Sequence, residues 1–399
     1  MSAPTTKFSA PVWVSAFRPF YLLGALYAPL VITGGAGALV GTVDLHAATT
    51  PQLWHGHEML FGFAMAIIIG TVLTALPSWA GTPETSGSRL ALLAALWLLG
   101  RAAFWAAPWI SPWGVALADA LLLPVLAVML VPQLLRVRNR LYLLLLPILL
   151  ALAAANLAYH AFILRADAAR AAQSLLAGAY AVIVLFLLKG GVLVPVFTGN
   201  ALRALGRGDQ PSFSMALEAA AVVCVVLLAV LDLGGGSTAS VGAAALICTA
   251  VQAYRTARWR GWLVADQPLV FVLHLAFAWL VIALLLKAAA ELTGIVPAVA
   301  WLHAFTVGGL GMMMLGLMNR VALRHTGRVL EVTMPMRVAY LMMFAAALMR
   351  LAATVHGLGF WAVAAAALLW ACPFVIYLVL YGSALVQPSL PRAQPLQPI

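Results

Sequence analysis

The chain is a succession of apolar runs, each about as long as a bilayer is thick, separated by short polar, proline- or glycine-bearing breaks. A helix needs about 20 apolar residues to cross the hydrocarbon core. On that measure the runs predict twelve transmembrane helices, at 19–41, 56–77, 90–107, 113–131, 141–164, 172–196, 215–231, 239–254, 269–289, 297–318, 335–355 and 359–383. The expected fold class is therefore an all-α polytopic membrane protein. The connections are as short as ordinary ones, and Gly234-Gly-Gly-Ser reads as a turn, so residues 1–386 are expected to form a single transmembrane domain. Residues 387–399, Gln-Pro-Ser-Leu-Pro-Arg-Ala-Gln-Pro-Leu-Gln-Pro-Ile, read as a disordered cytoplasmic tail, because proline fixes φ and removes backbone donors.

Composition supports the pattern and charge orients it. Hydrophobic residues make up 65% of the 399 and charged residues 8%, far from the mix of a soluble domain, and the mean hydropathy is +1.05. A net charge of +11 would suggest nucleic acid in a soluble protein. Here it follows from basic cytoplasmic loops, so the expected partner is the lipid bilayer and not a nucleic acid. With the N-terminus inside, sixteen of the 22 Lys and Arg fall on the cytoplasmic side and only Arg165 and Arg170 in an outer loop. Arg101, Lys189, Lys287 and Arg350 lie within or at the ends of spans. Both termini are thus expected in the cytoplasm. The start, MSAPTTKFSAPVW, lacks the pattern of a cleaved signal peptide. Cys224, Cys248 and Cys372 stand alone in apolar runs with no C-x-x-C-H, so any heme is expected to be a non-covalent heme b.

Placed on this topology, the polar residues gather at the outer face. His55 and His57 open helix 2 within Trp54-His-Gly-His-Glu-Met, His160 ends helix 5, and His303 lies one to two turns into helix 10. His46 and His356 occupy outer loops, and Arg101, Asp119, Asn156 and Arg350 fall in the outer third of their helices. Only His274 and His325 lie towards the cytoplasm. Ionisable groups at bilayer depth are costly and mark cofactors or ion paths. Positions two apart on a helix point about 200° from each other, so His55 and His57 face different neighbours. One can ligate a heme iron while the other takes a second metal, a propionate or a carbonyl. A heme with two histidine ligands needs rings from two facing helices, and His57 with His303 meets that need at matching depth. Glu58, one turn from His55, is placed to orient its ring. Arg101 and Arg350 are candidate clamps for heme propionates, and Arg101 with Asp119 reads equally as a structural ion pair. His55, His57, His160 and His303 are the candidate metal ligands, with copper a further candidate cofactor. His46, His325 and His356 read best as interfacial hydrogen-bonding residues, while His160 and His274 stand evenly between the two readings. Met312, Met313 and Met314 read mostly as core filler, and Lys189-Gly-Gly ahead of Pro195 suggests a broken helix near the cytoplasm.

Several segments together resemble the NnrS family of bacterial heme- and copper-containing membrane proteins. They are Phe17-Arg-Pro-Phe-Tyr, Trp54-His-Gly-His-Glu-Met-Leu-Phe-Gly-Phe, Leu73-Thr-Ala-Leu-Pro-Ser-Trp, Val194-Pro-Val-Phe-Thr-Gly-Asn and His303-Ala-Phe-Thr-Val-Gly-Gly-Leu-Gly, continuing through Asn319-Arg320 to His325-Thr-Gly-Arg328. The resemblance covers most of the chain. It implies a protein of the bacterial inner membrane that serves the nitric oxide response and nitrosative-stress protection, handling nitric oxide or iron-nitrosyl species at a heme near the periplasmic face. Whether it turns over a substrate is left open. The chain departs from the family pattern where Val192-Leu193 follow the paired glycines of helix 6 and where Arg324 precedes His325. More distantly it resembles the catalytic subunit of heme-copper oxidases and nitric oxide reductases, also twelve helices with cytoplasmic ends, and Gly56-His-Glu-Met-Leu is similar to that fold's helix 2 ligand motif. Helices 6 and 7, which carry that superfamily's copper ligands, contain no histidine here. The competing function class is a twelve-helix transporter of a small solute or metal. Against it, the loop after helix 2, Ala80-Gly-Thr-Pro-Glu-Thr-Ser-Gly-Ser-Arg, lacks the charged motif of major-facilitator transporters.

Overall fold

The computed structural model describes residues 10–39, 41, 50–137 and 140–391. Among them the chain forms twelve helices and no strand. These are α1 (Phe17–Leu39), α2 (Pro51–Trp79), α3 (Gly87–Trp105), α4 (Pro112–Leu135), α5 (Tyr142–Ile163), α6 (Ala168–Ala204), α7 (Met215–Leu233), α8 (Thr238–Ala257), α9 (Pro268–Thr293), α10 (Ala300–His325), α11 (Met334–His356) and α12 (Phe360–Val386). Each corresponds to one predicted run. Their starts are written locally: Thr50, Ser111, Ser214 and Ser237 each accept a backbone N–H of the first turn, and Pro51 and Pro112 follow the first two.

Eleven of the helices are long and apolar enough to cross a membrane. The run at 239–254 is helical as predicted but is the less apolar exception, because α8 carries Gln252 and Arg255 towards protein. Gln252 donates to the Ala221 carbonyl at 2.9 Å, and Arg255, fully buried, donates to the Leu187 carbonyl at 3.0 Å and pairs with Glu218. Polar groups met by partners inside the protein need no apolar sequence around them. The break expected at Lys189-Gly-Gly is absent: α6 runs through it as one helix of 37 residues. The two glycines instead allow close packing. A Cβ on Gly190 would lie 2.7 Å from the Phe277 ring, and one on Gly191 would collide with the Arg255 guanidinium.

The chain divides into two compact units, 1–181 with 321–329 and 377–398, and 182–320 with 330–376. In the first, α1 lies along α2, α3 packs on α4, and α4 on α5. Arg18, nearly buried, closes the end of this unit by donating to the carbonyls of Ala384, Leu385 and Gln387 and to Ser389 Oγ. Leu390 N donates to the Thr326 carbonyl at 3.0 Å. The segment expected as a free tail from residue 387 is therefore pinned through Leu390; residues 392–399 lie outside the described residues. In the second unit α7 packs on α8, α8 on α9, and α9 and α11 on α10.

Both α2 and α10 change winding at one place. Directly after His57 the helix becomes π-helical over Glu58–Ala64, and directly after His303 over Ala304–Leu310. Such turns are rare and mark functional positions.

Candidate metal centre

The π turn of α2 begins between two residues of the site. On a regular helix neighbouring residues diverge by about 100°, yet His57 and Glu58 are both fully buried and both enter one polar network. The carbonyl of Gly62, inside the widened turn, accepts from Trp97 Nε1 at 2.9 Å. Five helices contribute to the network: Tyr27 from α1, His57 and Glu58 from α2, Arg101 from α3, Asp119 from α4, and Asn156 and His160 from α5.

Asp119 is the hub. Its Oδ1 receives Arg101 Nη2, and its Oδ2 accepts Asn156 Nδ2 at 2.8 Å and lies 2.9 Å from His160 Nε2 and 3.3 Å from His57 Nε2. Glu58 Oε1 accepts Arg101 Nη1 at 2.6 Å and lies 3.1 Å from His57 Nδ1, while Oε2 accepts the Tyr27 hydroxyl. The His57 ring stacks on Phe104, 4.2 Å between centroids and 15° between planes, with Tyr159 at 4.5 Å on another side. Small residues make this approach available. A Cβ on Gly62 would stand 2.7 Å from Arg101 Nη1, and one on Gly100 3.0 Å from Asp119 Oδ1.

The arrangement of acceptors around His57 sets what it can hold. Nδ1 faces a Glu58 oxygen; Nε2 faces Asn156 Oδ1 at 2.8 Å and Asp119 Oδ2. Neutral imidazole donates from one nitrogen only, so its other lone pair would point at oxygen. Turning the Asn156 amide over would only move the conflict, setting its oxygen against Asp119. The conflict disappears when the ring carries a second proton or when Nε2 gives its lone pair to a metal ion. Formal charge agrees: Glu58 and Asp119 against Arg101 leave the buried network one positive charge short. An uncompensated charge at that depth is expensive. His57, Asp119 and His160 supply ligand atoms within 4.8 Å of one another, two imidazoles and a carboxylate, a donor set suited to borderline transition metals, copper among them. Three protein ligands leave a coordination position open.

The structure brings together four expected site residues, His57, His160, Arg101 and Asp119, and leaves others elsewhere. His55 Nδ1 lies beside α1, where a Cβ on Gly35 would be 3.1 Å away. Glu58, expected to orient His55, is bonded to His57 instead. Arg101, a candidate propionate clamp, has both Nη groups engaged with Glu58 and Asp119. His303 belongs to the second unit, where Arg350 Nη2 donates to its Nε2 at 3.1 Å, which makes Nε2 the lone-pair nitrogen. No carboxylate ion pair to Arg350 is found among the described residues. His274 Nε2 bonds Thr198 Oγ1 at 2.8 Å, and the His325 ring lies tilted against that of Phe17, 5.6 Å between centroids. His46 lies outside the described residues. Asp119 as a ligand and Tyr27 as a partner of Glu58 were not foreseen. A single acid at bilayer depth was the available signal for Asp119; Tyr27 had none, because membrane tyrosines are common.

The family model for NnrS protein matches residues 11–389, nearly the whole chain. No curated protein matches it.

Proposed function

The chain belongs to the NnrS family, and from that premise we propose that it is a membrane protein of the nitric oxide response whose first unit holds a transition-metal ion on His57, Asp119 and His160. The observation that carries this is the oxygen on both sides of the His57 ring, which a metal ion at Nε2 would reconcile. Copper fits the donor set.

Heme b is assigned to the second unit. His303 and Arg350 lie together there, Arg350 with no carboxylate partner among the described ion pairs, so an imidazole for iron and a fork for a propionate are both at hand once a bound heme replaces the hydrogen bond between them. His57, first expected as an axial partner of His303, has both nitrogens engaged and a ring covered by Phe104 and Tyr159, and we give it to the metal ion instead. The same proposal includes an inner-membrane location with both termini cytoplasmic, for which the basic cytoplasmic loops argue, and an oxidase-like helix bundle.

The test is metal analysis and absorbance on protein purified from copper- and heme-replete cells. His160→Gln should lose the metal and keep the heme absorbance, while His303→Ala should lose or shift the heme and keep the metal. Wild-type protein without a bound metal, or a His160 variant that retains it, would overturn the metal assignment. A colourless wild type would overturn the heme assignment and favour a transporter.

A further inference from the structure

Glu58 supplies none of the atoms that would form the ligand cage, yet it is fully buried and heavily bonded. Three donors converge on it from three helices: Arg101 Nη1 at 2.6 Å, the Tyr27 hydroxyl, and His57 Nδ1 at 3.1 Å. Paired with Arg101, the side chain acts as the acceptor for all three. The Nδ1 nitrogen beside it must then carry its proton, and in a ring with one proton that leaves the lone pair on Nε2. Tyr27 is held for this task in turn, since Trp105 Nε1 donates to its hydroxyl at 3.1 Å. Gly62, under Arg101 and Tyr27, leaves the space through which both reach Glu58.

The geometry points to Glu58 as the positioning residue of the centre: held by Tyr27 and Arg101, it commits the Nε2 atom of His57 to the metal. Ligand and orienter are adjacent residues at the start of the π turn, and both enter the same network. Carboxylates in this place fix the tautomer and ring orientation of a metal-bound histidine and raise its basicity, and their loss costs about 10–100-fold in affinity.

The inference rests on the metal reading, and one experiment separates the two. Metal-stripped full-length protein in detergent is titrated with Co(II), whose visible absorption reports the ligand geometry, and affinity is read by competition with a chelator. Glu58→Gln preserves the shape of the side chain and removes its charge; Tyr27→Phe removes one donor to Glu58 and leaves every ligand untouched. Glu58→Gln should weaken Co(II) binding about 10–100-fold and shift the visible spectrum, with Tyr27→Phe moving both in the same direction by less. A merely structural role would lower stability without moving the spectrum of the metal that still binds. Wild-type affinity and spectrum in Glu58→Gln would overturn the inference and leave the metal reading standing. If Glu58→Gln does not fold, an unchanged affinity and spectrum in Tyr27→Phe would overturn it equally. Failure of the wild type to bind Co(II) would remove both.

Discussion

In the metal-free protein Arg101 is the arginine that opposes two buried carboxylates, and replacing it gives the sharpest test of the electrostatics. Its side chain is 6% exposed, that of Glu58 0% and that of Asp119 2%. Arg101→Gln takes the network from one positive charge short to two. Removing one partner of a buried pair costs about 3–5 kcal/mol, because the remaining charge stays buried without compensation. Against a total stability of roughly 5–15 kcal/mol this is a large share, and at about 2–4 °C per kcal/mol for a large domain it is a fall on the order of 10 °C in the unfolding midpoint. The partner experiment is Arg101→Gln with Glu58→Gln, which returns the charge count to that of the wild type. Thermal melts of metal-stripped, detergent-solubilised protein, followed by the monodisperse fraction on size exclusion, should show the single variant least stable and the double variant partly restored. The exposed Arg207, paired with Asp266, is the control, and Arg207→Gln should lower the midpoint only slightly. A single variant within about two degrees of wild type, on the scale of 2–4 °C per kcal/mol, or a double variant no more stable than the single one, would refute the reasoning.

Three further outcomes are expected. Gly62→Ala places a methyl 2.7 Å from Arg101 Nη1 and 2.9 Å from Tyr27 Cε1. It should cost about 1–3 kcal/mol and weaken metal binding, measured by melting and Co(II) titration. Gly191→Ala drives a methyl into the guanidinium of Arg255 and to 2.7 Å from Glu218 Oε2, whereas Gly382 has nothing within 4 Å. The first should melt lower by about 1–3 kcal/mol, and Gly382→Ala should be neutral by the same assay. Finally, the hydrogen bond from Arg207 holds the Asp266 carboxyl below its ordinary value. A depressed acid stabilises the fold above its unfolded-state value and loses that contribution as pH falls through the folded one. Asp266→Asn should therefore lower the midpoint slightly at neutral pH, and the difference should vanish in strong acid; a constant gap at all pH values would contradict the pairing.

Much of the fold was legible because its signals are local. Twelve apolar runs became twelve helices, and the capping of Thr50-Pro51 and Ser111-Pro112 is written in adjacent residues. Among polar positions the cost of burying charge already nominated His57, His160, Arg101 and Asp119. The pairing of Arg101 with Asp119, read as one of two options, is present. Lys189-Gly-Gly misled because glycine pairs serve both to break helices and to let neighbours approach; only the ring of Phe277 and the guanidinium of Arg255 resting there distinguish the two uses.

What the sequence by itself determined, then, is which segments enter a bilayer and which few polar groups go in with them, since hydrophobic length and desolvation cost depend on each residue and its near neighbours. Which of those groups meet was decided by tertiary structure alone. Periodicity set Glu58 beside His55, whereas its side chain bonds the adjacent His57 at the start of the π turn. Asp119 and Asn156 became partners of His57 through the packing of α2, α4 and α5. Tyr27 entered the network from α1 through the gap at Gly62. Helix rotation and π winding come from side chains far apart in the chain fitting one another, and that fit has no short-range signature.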